Sequence, residues 1–218
     1  VFVDIDAESY NLSISDLAKK ITKKTKAILA VHSFGCPCEV EKIDALAKEY
    51  GLKVIYDAAH AFAIEYKGKS ILNFGDASTL SFQATKVFHT VEGGAIIVNN
   101  RDKLSKANQL KYFGYKKDKS DVVTMGTNAK MNEFQAIMGL LNLELVDEWI
   151  LKRKALYELY WEELKDYTTF QKLNENITRY NYIYMPVLFG SHELREKVYE
   201  RLVENQINPR KYFYPIIN

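Results

Sequence analysis

Lys26-Ala27-Ile28-Leu29-Ala30-Val31-His32, then Glu39-Val40-Glu41-Lys42-Ile43-Asp44-Ala45-Leu46-Ala47-Lys48-Glu49-Tyr50-Gly51, then Lys53-Val54-Ile55-Tyr56-Asp57 are the three pieces that decide the fold. The outer two are short, continuous apolar runs of the length and β-branched content of buried strands. The first is read as continuing to Phe34 and closing at Gly35. In the middle piece Val40, Ile43, Leu46 and Ala47 recur at helical spacing, and Gly51 supplies the stop. Strand, helix and strand in succession imply a parallel sheet with helical crossovers, and in such sheets chemistry gathers beyond the carboxyl ends of the strands. His32, Asp57 and, further on, Ser81 are expected at those ends.

Working outward, residues 1–6 alternate apolar and acidic side chains and predict a strand, and residues 13–21 predict a serine-capped helix. Residues 76–82 and 93–99 predict two more strands, 101–113 a helix, and 114–121 a basic surface loop whose lysines read as a solvated face. A long helix is expected from Phe134 towards Leu164, with Ile137, Met138, Leu141, Leu145 and Val146 at helical spacing and a break near Asp147. Trp149, Tyr157, Tyr160 and Trp161 on it read as packing residues. A short strand at 182–187 and a helix at 192–205 complete the pattern, with no internal repeat. The fold class is α/β, a mainly parallel sheet with helices on both faces.

Composition narrows the function classes. At 218 residues, with 47% hydrophobic and 27% charged, the chain is long enough for a sizeable core and reads as soluble and globular. A net charge of +2 gives no reason to expect nucleic acid or an anionic membrane surface. No apolar run approaches a membrane span and no secretory signal stands at the start, so a cytoplasmic protein is expected. Cys36 and Cys38 have no second cysteine pair to complete a metal site, and a disulfide between them would need unusual geometry. They read as reduced structural thiols, and no metal site is expected.

The chemistry centres on Ser81-Phe82-Gln83-Ala84-Thr85-Lys86-Val87-Phe88-His89-Thr90-Val91-Glu92-Gly93-Gly94. One lysine sits in a polar turn between two apolar strands, with a hydroxyl five residues before it and paired glycines behind. A lysine so held can be desolvated enough to lose its proton, and a neutral amine forms an imine with an aldehyde. Pyridoxal phosphate is such an aldehyde, and its ring nitrogen needs an acidic partner. Asp57, at the end of an apolar strand, offers one.

Asp57-Ala58-Ala59-His60, Ser81-Phe82, Thr85-Lys86 and Glu92-Gly93-Gly94 together resemble the DegT/DnrJ/EryC1/StrS family of sugar aminotransferases, which are fold-type I pyridoxal phosphate enzymes. The resemblance runs from Val1 to the Tyr214-Pro215 pair. It implies a large cofactor-binding domain at 1–146 lacking its amino-terminal part, and a connecting helix with part of a smaller α+β domain at 147–218. The chain starts at Val1 inside a strand-like run and ends at Asn218 without a terminal helix, so it is expected to be part of a longer protein.

By the resemblance Lys86 is the Schiff-base lysine and moves the proton of the amino donor, while Asp57 faces the pyridine nitrogen. His60 falls near the cofactor's 3-oxygen, and Ser81 binds its phosphate. Asn128 reaches the phosphate of a partner subunit, which implies a homodimer with shared sites. Where the family often has Tyr-Asn-Tyr-Arg, this chain has Thr127-Asn128-Ala129-Lys130, which leaves the asparagine intact. His60 also reads as a core histidine, and Ser81 as a residue that merely closes its strand. His89 reads equally as a substrate contact or a turn residue, Glu92 has no derivable role, and Arg210 and Tyr212 are candidates for the donor carboxylate or the sugar.

The implied activity is transfer of an amino group, from glutamate by expectation, to a keto group of a nucleotide-linked keto-6-deoxyhexose, with dTDP as the expected nucleotide. Two other readings are weighed. In the dehydratase branch of the family histidine replaces the lysine, so Lys86 argues against it. A non-catalytic regulatory or scaffold protein would be expected to have lost the Asp57–Lys86 pair.

Overall fold

In a computed structural model, residues 1–212 are described; 213–218, with the Tyr214-Pro215 pair, lie outside the described residues. The main sheet has four strands in the order β1 (Ala27–Val31), β2 (Lys53–Asp57), β5 (Ala77–Ser81) and β6 (Gly94–Val98). The first three are parallel, with Val31 beside Asp57 and Asp57 beside Thr79, and β6 runs antiparallel to β5. Asp57 and Ser81 thereby end neighbouring strands on the same sheet margin.

Helix α1 (Ile14–Lys20) is capped by the Ser13 hydroxyl, which accepts from Asp16 N. Helix α2 (Val40–Tyr50) stops where Gly51 takes the left-handed conformation, at φ 64°. Ile43 and Val40 are fully buried against the face of the sheet formed by Ile28, Ala30, Val54 and Tyr56. Burying a side chain of the size of Ile43 contributes roughly 2 kcal/mol. On the opposite face Leu29, Val31, Ile55 and Ile96 alternate outward and are exposed among the described residues.

Helix α3 (Arg101–Lys111) follows β6 under an Asn100 cap. Helix α4 (Glu133–Leu164) runs unbroken for 32 residues from a capping box in which Asn132 and Gln135 bond reciprocally. The break expected near Asp147 is absent: nothing there removes a backbone donor, and the Asp147 carboxylate turns outward to pair with Arg179. Small antiparallel sheets close the far side. β3 (Glu65–Tyr66) lies between β4 (Lys69–Ser70) and β8 (Ile177–Arg179), and β7 (Thr169–Phe170) pairs with β9 (Val187–Leu188) before α5 (His192–Glu204).

Three expected strands are corrected. Residues 1–6 form no strand beyond an Ile5–Leu12 bridge, because Asp6 Oδ1 gathers Glu8 N, Ser9 N and the Ser9 hydroxyl into a turn. The strand expected through Phe34 ends at Val31, since Phe34 takes a left-handed conformation at φ 56°. The strand expected at 182–187 shrinks to β9: Tyr182 has φ 51°, and the Asn181 side-chain Oδ1 accepts from Ile183 N. A second core cluster of Val87, Phe88, Val146, Ile150 and Ile183 ties the turn after Lys86 to α4 and the carboxy-terminal segment.

Candidate active site

Asp57 ends β2 with its carboxylate half-buried, and Oδ1 accepts from Ala59 N at 2.9 Å. That turn is held open by Ala58 N, which donates to Thr79 O at 2.9 Å instead of continuing a helix or strand. His60 follows on the next bend. Burial, and after it the positive charge of Lys86, pushes His60 down to about 4, with the Asp57 charge pulling the other way. The imidazole is therefore neutral at pH 7 and sits within the electrostatic reach of both residues.

Lys86 lies on the turn beyond β5, half-buried, its backbone N–H donating to Gln83 O at 2.9 Å. It lines a cavity of about 370 Å³ with Ala84, Thr85, Val87, His89, Trp149 and Arg153. Ser81 ends β5 half-buried, and its Oγ accepts from Gln83 N at 3.4 Å. The Lys86 turn is anchored behind by Phe88, stacked on Phe62 with ring centres 4.5 Å apart, and by Thr90, whose hydroxyl donates to Glu92 O at 2.7 Å. Gly93 carries φ 148°, and a Cβ there would stand 2.5 Å from Thr90 Oγ1, so the first of the paired glycines is needed for the close return of the chain.

Asp57, His60, Ser81 and Lys86 thus gather at the ends of two adjacent strands and their following turns. Asn128 stands apart: it is exposed and forms an isolated bridge with Tyr112. His32 follows β1 at the expected margin, but its side chain does not join the site. It turns into the core, 1% exposed, its ring stacked 4.6 Å from that of Tyr56 and its Nδ1 accepting from Cys38 N. Burial pushes it down to about 3. Cys36 and Cys38 are free and buried, with both thiols pushed up by burial. Glu92 is exposed and offers only its carbonyl, and Arg210 is exposed as well. Lys119 lies over the Tyr112 ring and Lys116 pairs with Asp121, as a solvated face would.

Aromatic residues from distant parts of the chain form a wall beside His60. Tyr184 meets it edge-on at 4.8 Å, Phe34 lies at 6.4 Å, and Tyr212 packs on Phe34 at 4.9 Å and on Tyr184 at 5.7 Å. Phe34 is held in its left-handed conformation, a cost on the order of 1–2 kcal/mol, partly through its carbonyl, which accepts from the Tyr180 hydroxyl. Asn181, fully buried, donates to His60 O at 2.9 Å and Phe62 O at 2.8 Å, fastening the carboxy-terminal segment to the Asp57 turn. Sequence reading missed Phe34, Arg153, Asn181 and Tyr184. Only Phe34 carried a local signal, its place before Gly35 at a strand end. On α4, Tyr157 packs against Tyr180 and Tyr182 as expected, whereas Tyr160 and Trp161 are exposed and Trp149 faces the cavity.

The profile of the DegT/DnrJ/EryC1/StrS aminotransferase family matches residues 1–218. The chain belongs to that family. Among relatives of this DegT/DnrJ/EryC1/StrS member, a dTDP-4-amino-4,6-dideoxy-D-glucose transaminase of Shigella dysenteriae is 41% identical over all of this chain and 60% of its own length. A GDP-perosamine synthase of Escherichia coli O157:H7 is 35% identical over 99% of this chain and 59% of its own. The solved structure of Helicobacter pylori PseC, an aminotransferase involved in the biosynthesis of pseudoaminic acid, superposes with a TM-score of 0.90 at 30% identity, covering 99% of this chain and 60% of that one. The fold is therefore that of the sugar aminotransferases, and the chain spans about three fifths of the length of these relatives.

Proposed function

We propose that the protein is a pyridoxal phosphate-dependent aminotransferase that transfers an amino group from an amino acid, glutamate in the first place, to the keto group of a nucleotide-linked keto-6-deoxyhexose. The observation that carries this is the convergence of Asp57, a neutral His60 and Lys86 at the ends of β2 and β5. A dTDP-linked sugar is favoured by the name of the most identical relative cited above, with GDP-linked sugars represented among the others.

The residues present fit the cofactor. Asp57 keeps Oδ2 clear of hydrogen bonds among the described residues, and the charges of Lys86 and Asp57 are both felt at His60. Bound pyridoxal 5′-phosphate supplies an aldehyde and a protonated pyridine ring able to accept the electrons released when the donor's Cα–H bond breaks. Lys86 would be the residue that holds the aldehyde carbon, and its free amine would be the base placed to take up and return the proton of the donor's α-carbon. Asp57 would face the ring nitrogen, where its negative charge would favour the protonated form. His60, neutral, would stand near the ring's 3-oxygen and would add no charge there. Ser81 Oγ would hold the phosphate from one subunit and Asn128 from the other, an arrangement that would need a homodimer.

The two-domain reading stays with this function: a cofactor-binding part at 1–146 and a smaller part at 147–218, joined within α4. The free, buried thiols Cys36 and Cys38 support a reducing cytoplasm as the compartment. Among the described residues no helix is long and apolar enough to cross a membrane. The test is incubation of the intact protein with pyridoxal phosphate, L-glutamate and dTDP-4-keto-6-deoxyglucose, reading amino-sugar and 2-oxoglutarate by mass spectrometry. Stoichiometric formation of both is expected; neither product, with dTDP- or GDP-linked substrate, would refute the proposal.

A further inference from the structure

Helix α4 buries one stripe, Gly139, Asn142, Val146 and Ile150, at the spacing of a single helix face. That stripe lies against the turn that follows Lys86. A Cβ on Gly139 would stand 2.9 Å from Thr90 Cγ2, so helix and turn touch there. Val146 and Ile150 share a buried cluster with Val87 and Phe88. Asn142 lies between these contacts, 7% exposed, and its Nδ2 donates to His89 O at 2.9 Å. Among the described residues, Asn142 is the one residue of α4 that hydrogen-bonds the turn. An asparagine in an otherwise apolar stripe is a costly choice, because it is a weak helix former and its amide is taken out of water. Apolar contacts are non-directional and tolerate sliding, whereas a hydrogen bond holds one donor to one acceptor at a set distance and angle. Buried polar groups of this kind can fix register.

The turn needs such a tie. Val91 is held at φ 67°, a left-handed conformation that a β-branched side chain resists and that persists only where the surroundings impose it. His89 Nδ1 accepts from Val91 N at 3.3 Å, and Asn142 Nδ2 also reaches that ring nitrogen at 3.5 Å. Asn142 therefore stands behind both the carbonyl and the ring that hold the strained bend, three residues beyond Lys86. Resting on the aminotransferase reading, we propose that Asn142 is a positioning residue: by tying α4 to His89 it sets where the Lys86 backbone, and with it the amine, stands relative to the Asp57 turn. Phe88 carries that placement across, since its ring stacks on Phe62, two residues beyond His60. Misplacing a reacting group by about 1 Å costs about a hundredfold in rate, so a partly loosened turn is felt in the chemistry before it is felt in the fold.

The test compares Asn142→Leu, which keeps the bulk but not the amide, with Ile43→Val, a destabilising change in the other core cluster. Two readouts are taken on the intact protein. Without cofactor, amide hydrogen exchange followed by mass spectrometry is expected to rise about tenfold in peptide 83–91 of Asn142→Leu, with peptide 40–57 within twofold of wild type. With cofactor bound, the maximal rate of the L-glutamate half-reaction is expected to fall about tenfold, while the half-saturating glutamate concentration stays within twofold. Ile43→Val should leave both readouts within twofold of wild type. Asn142→Gln, with the same amide one methylene further out, should recover part of both, and it carries the comparison if leucine prevents folding. Exchange at 83–91 within twofold of wild type in Asn142→Leu overturns the proposal. So does a rate loss matched by Ile43→Val, which would make Asn142 a structural residue only. If exchange at 83–91 rises as expected but the wild type converts no donor, the aminotransferase reading fails and the tie between Asn142 and the turn stands.

Discussion

Replacing Asn181 by leucine tests how the carboxy-terminal segment holds the site. The side chain is 0% exposed and makes three hydrogen bonds, donating to His60 O and Phe62 O and accepting from Ile183 N at 3.1 Å. Leucine has similar bulk but no polar atom, so two carbonyls and one N–H lose their partner in a dry interior. At about 1.5 kcal/mol for each of the three orphaned groups, less about 1.5 kcal/mol gained by burying the leucine, the net loss is about 3 kcal/mol. With a urea slope of about 2 kcal/mol/M, the unfolding midpoint of the intact protein should fall by about 1.5 M. Because the released carbonyls belong to the turn after Asp57, cofactor affinity should weaken with the protein still folded, read by titration well below the new midpoint. A midpoint within about 0.3 M of wild type and an unchanged cofactor affinity would refute the reasoning.

Four further outcomes are expected. Acid should destabilise the fold through His32: the unfolded chain takes its proton near pH 6.5 and the folded one only near 3. Stability therefore falls as pH drops through that window, by up to about 1.4 kcal/mol per unit for this one group. His32→Gln should lower the slope of unfolding free energy against pH by about one proton between pH 6 and 4, and an unchanged slope would contradict this. Gly93→Ala, which drives a methyl onto Thr90 Oγ1 at a positive φ, should cost about 1–3 kcal/mol in thermal or urea unfolding; a neutral result would mean that the turn is not under that constraint. Asp57→Asn should retain bound cofactor but slow the donor half-reaction by about a hundredfold or more, and full activity would remove its assigned role. Asn128→Ala should weaken cofactor binding if the residue serves a partner's site; an active monomer of unchanged affinity would exclude that arrangement.

The main sheet was legible because its signals are local. The apolar runs at 27–31 and 53–57, the helical spacing of Val40, Ile43 and Ala47, and the Gly51 stop each act within one element. The places of Asp57 and Ser81 at strand ends, and of Lys86 on the turn that follows, were legible for the same reason. What failed depended on partners. Residues 1–6 alternate like a strand but pair only through the Ile5–Leu12 bridge among the described residues, and Asp6 captures the backbone beside it. Asp147 looked like a helix break, yet an aspartate with an outward partner in Arg179 costs a long helix little. His32 followed the strand's alternation into the covered face, where Ile28 and Ala30 also point. The aromatic wall of Phe34, Tyr184 and Tyr212 and the fastening by Asn181 join residues more than a hundred positions apart, and no periodicity records that.

The central claim is that Lys86 forms the covalent bond to the cofactor. The most direct measurement is borohydride reduction of the intact protein with pyridoxal 5′-phosphate, followed by peptide mass mapping, alongside Lys86→Ala. A pyridoxyl group on Lys86 at close to one per chain, absent from the variant, is predicted. Labelling at other lysines with Lys86 unmodified, or no stable label, would contradict the account.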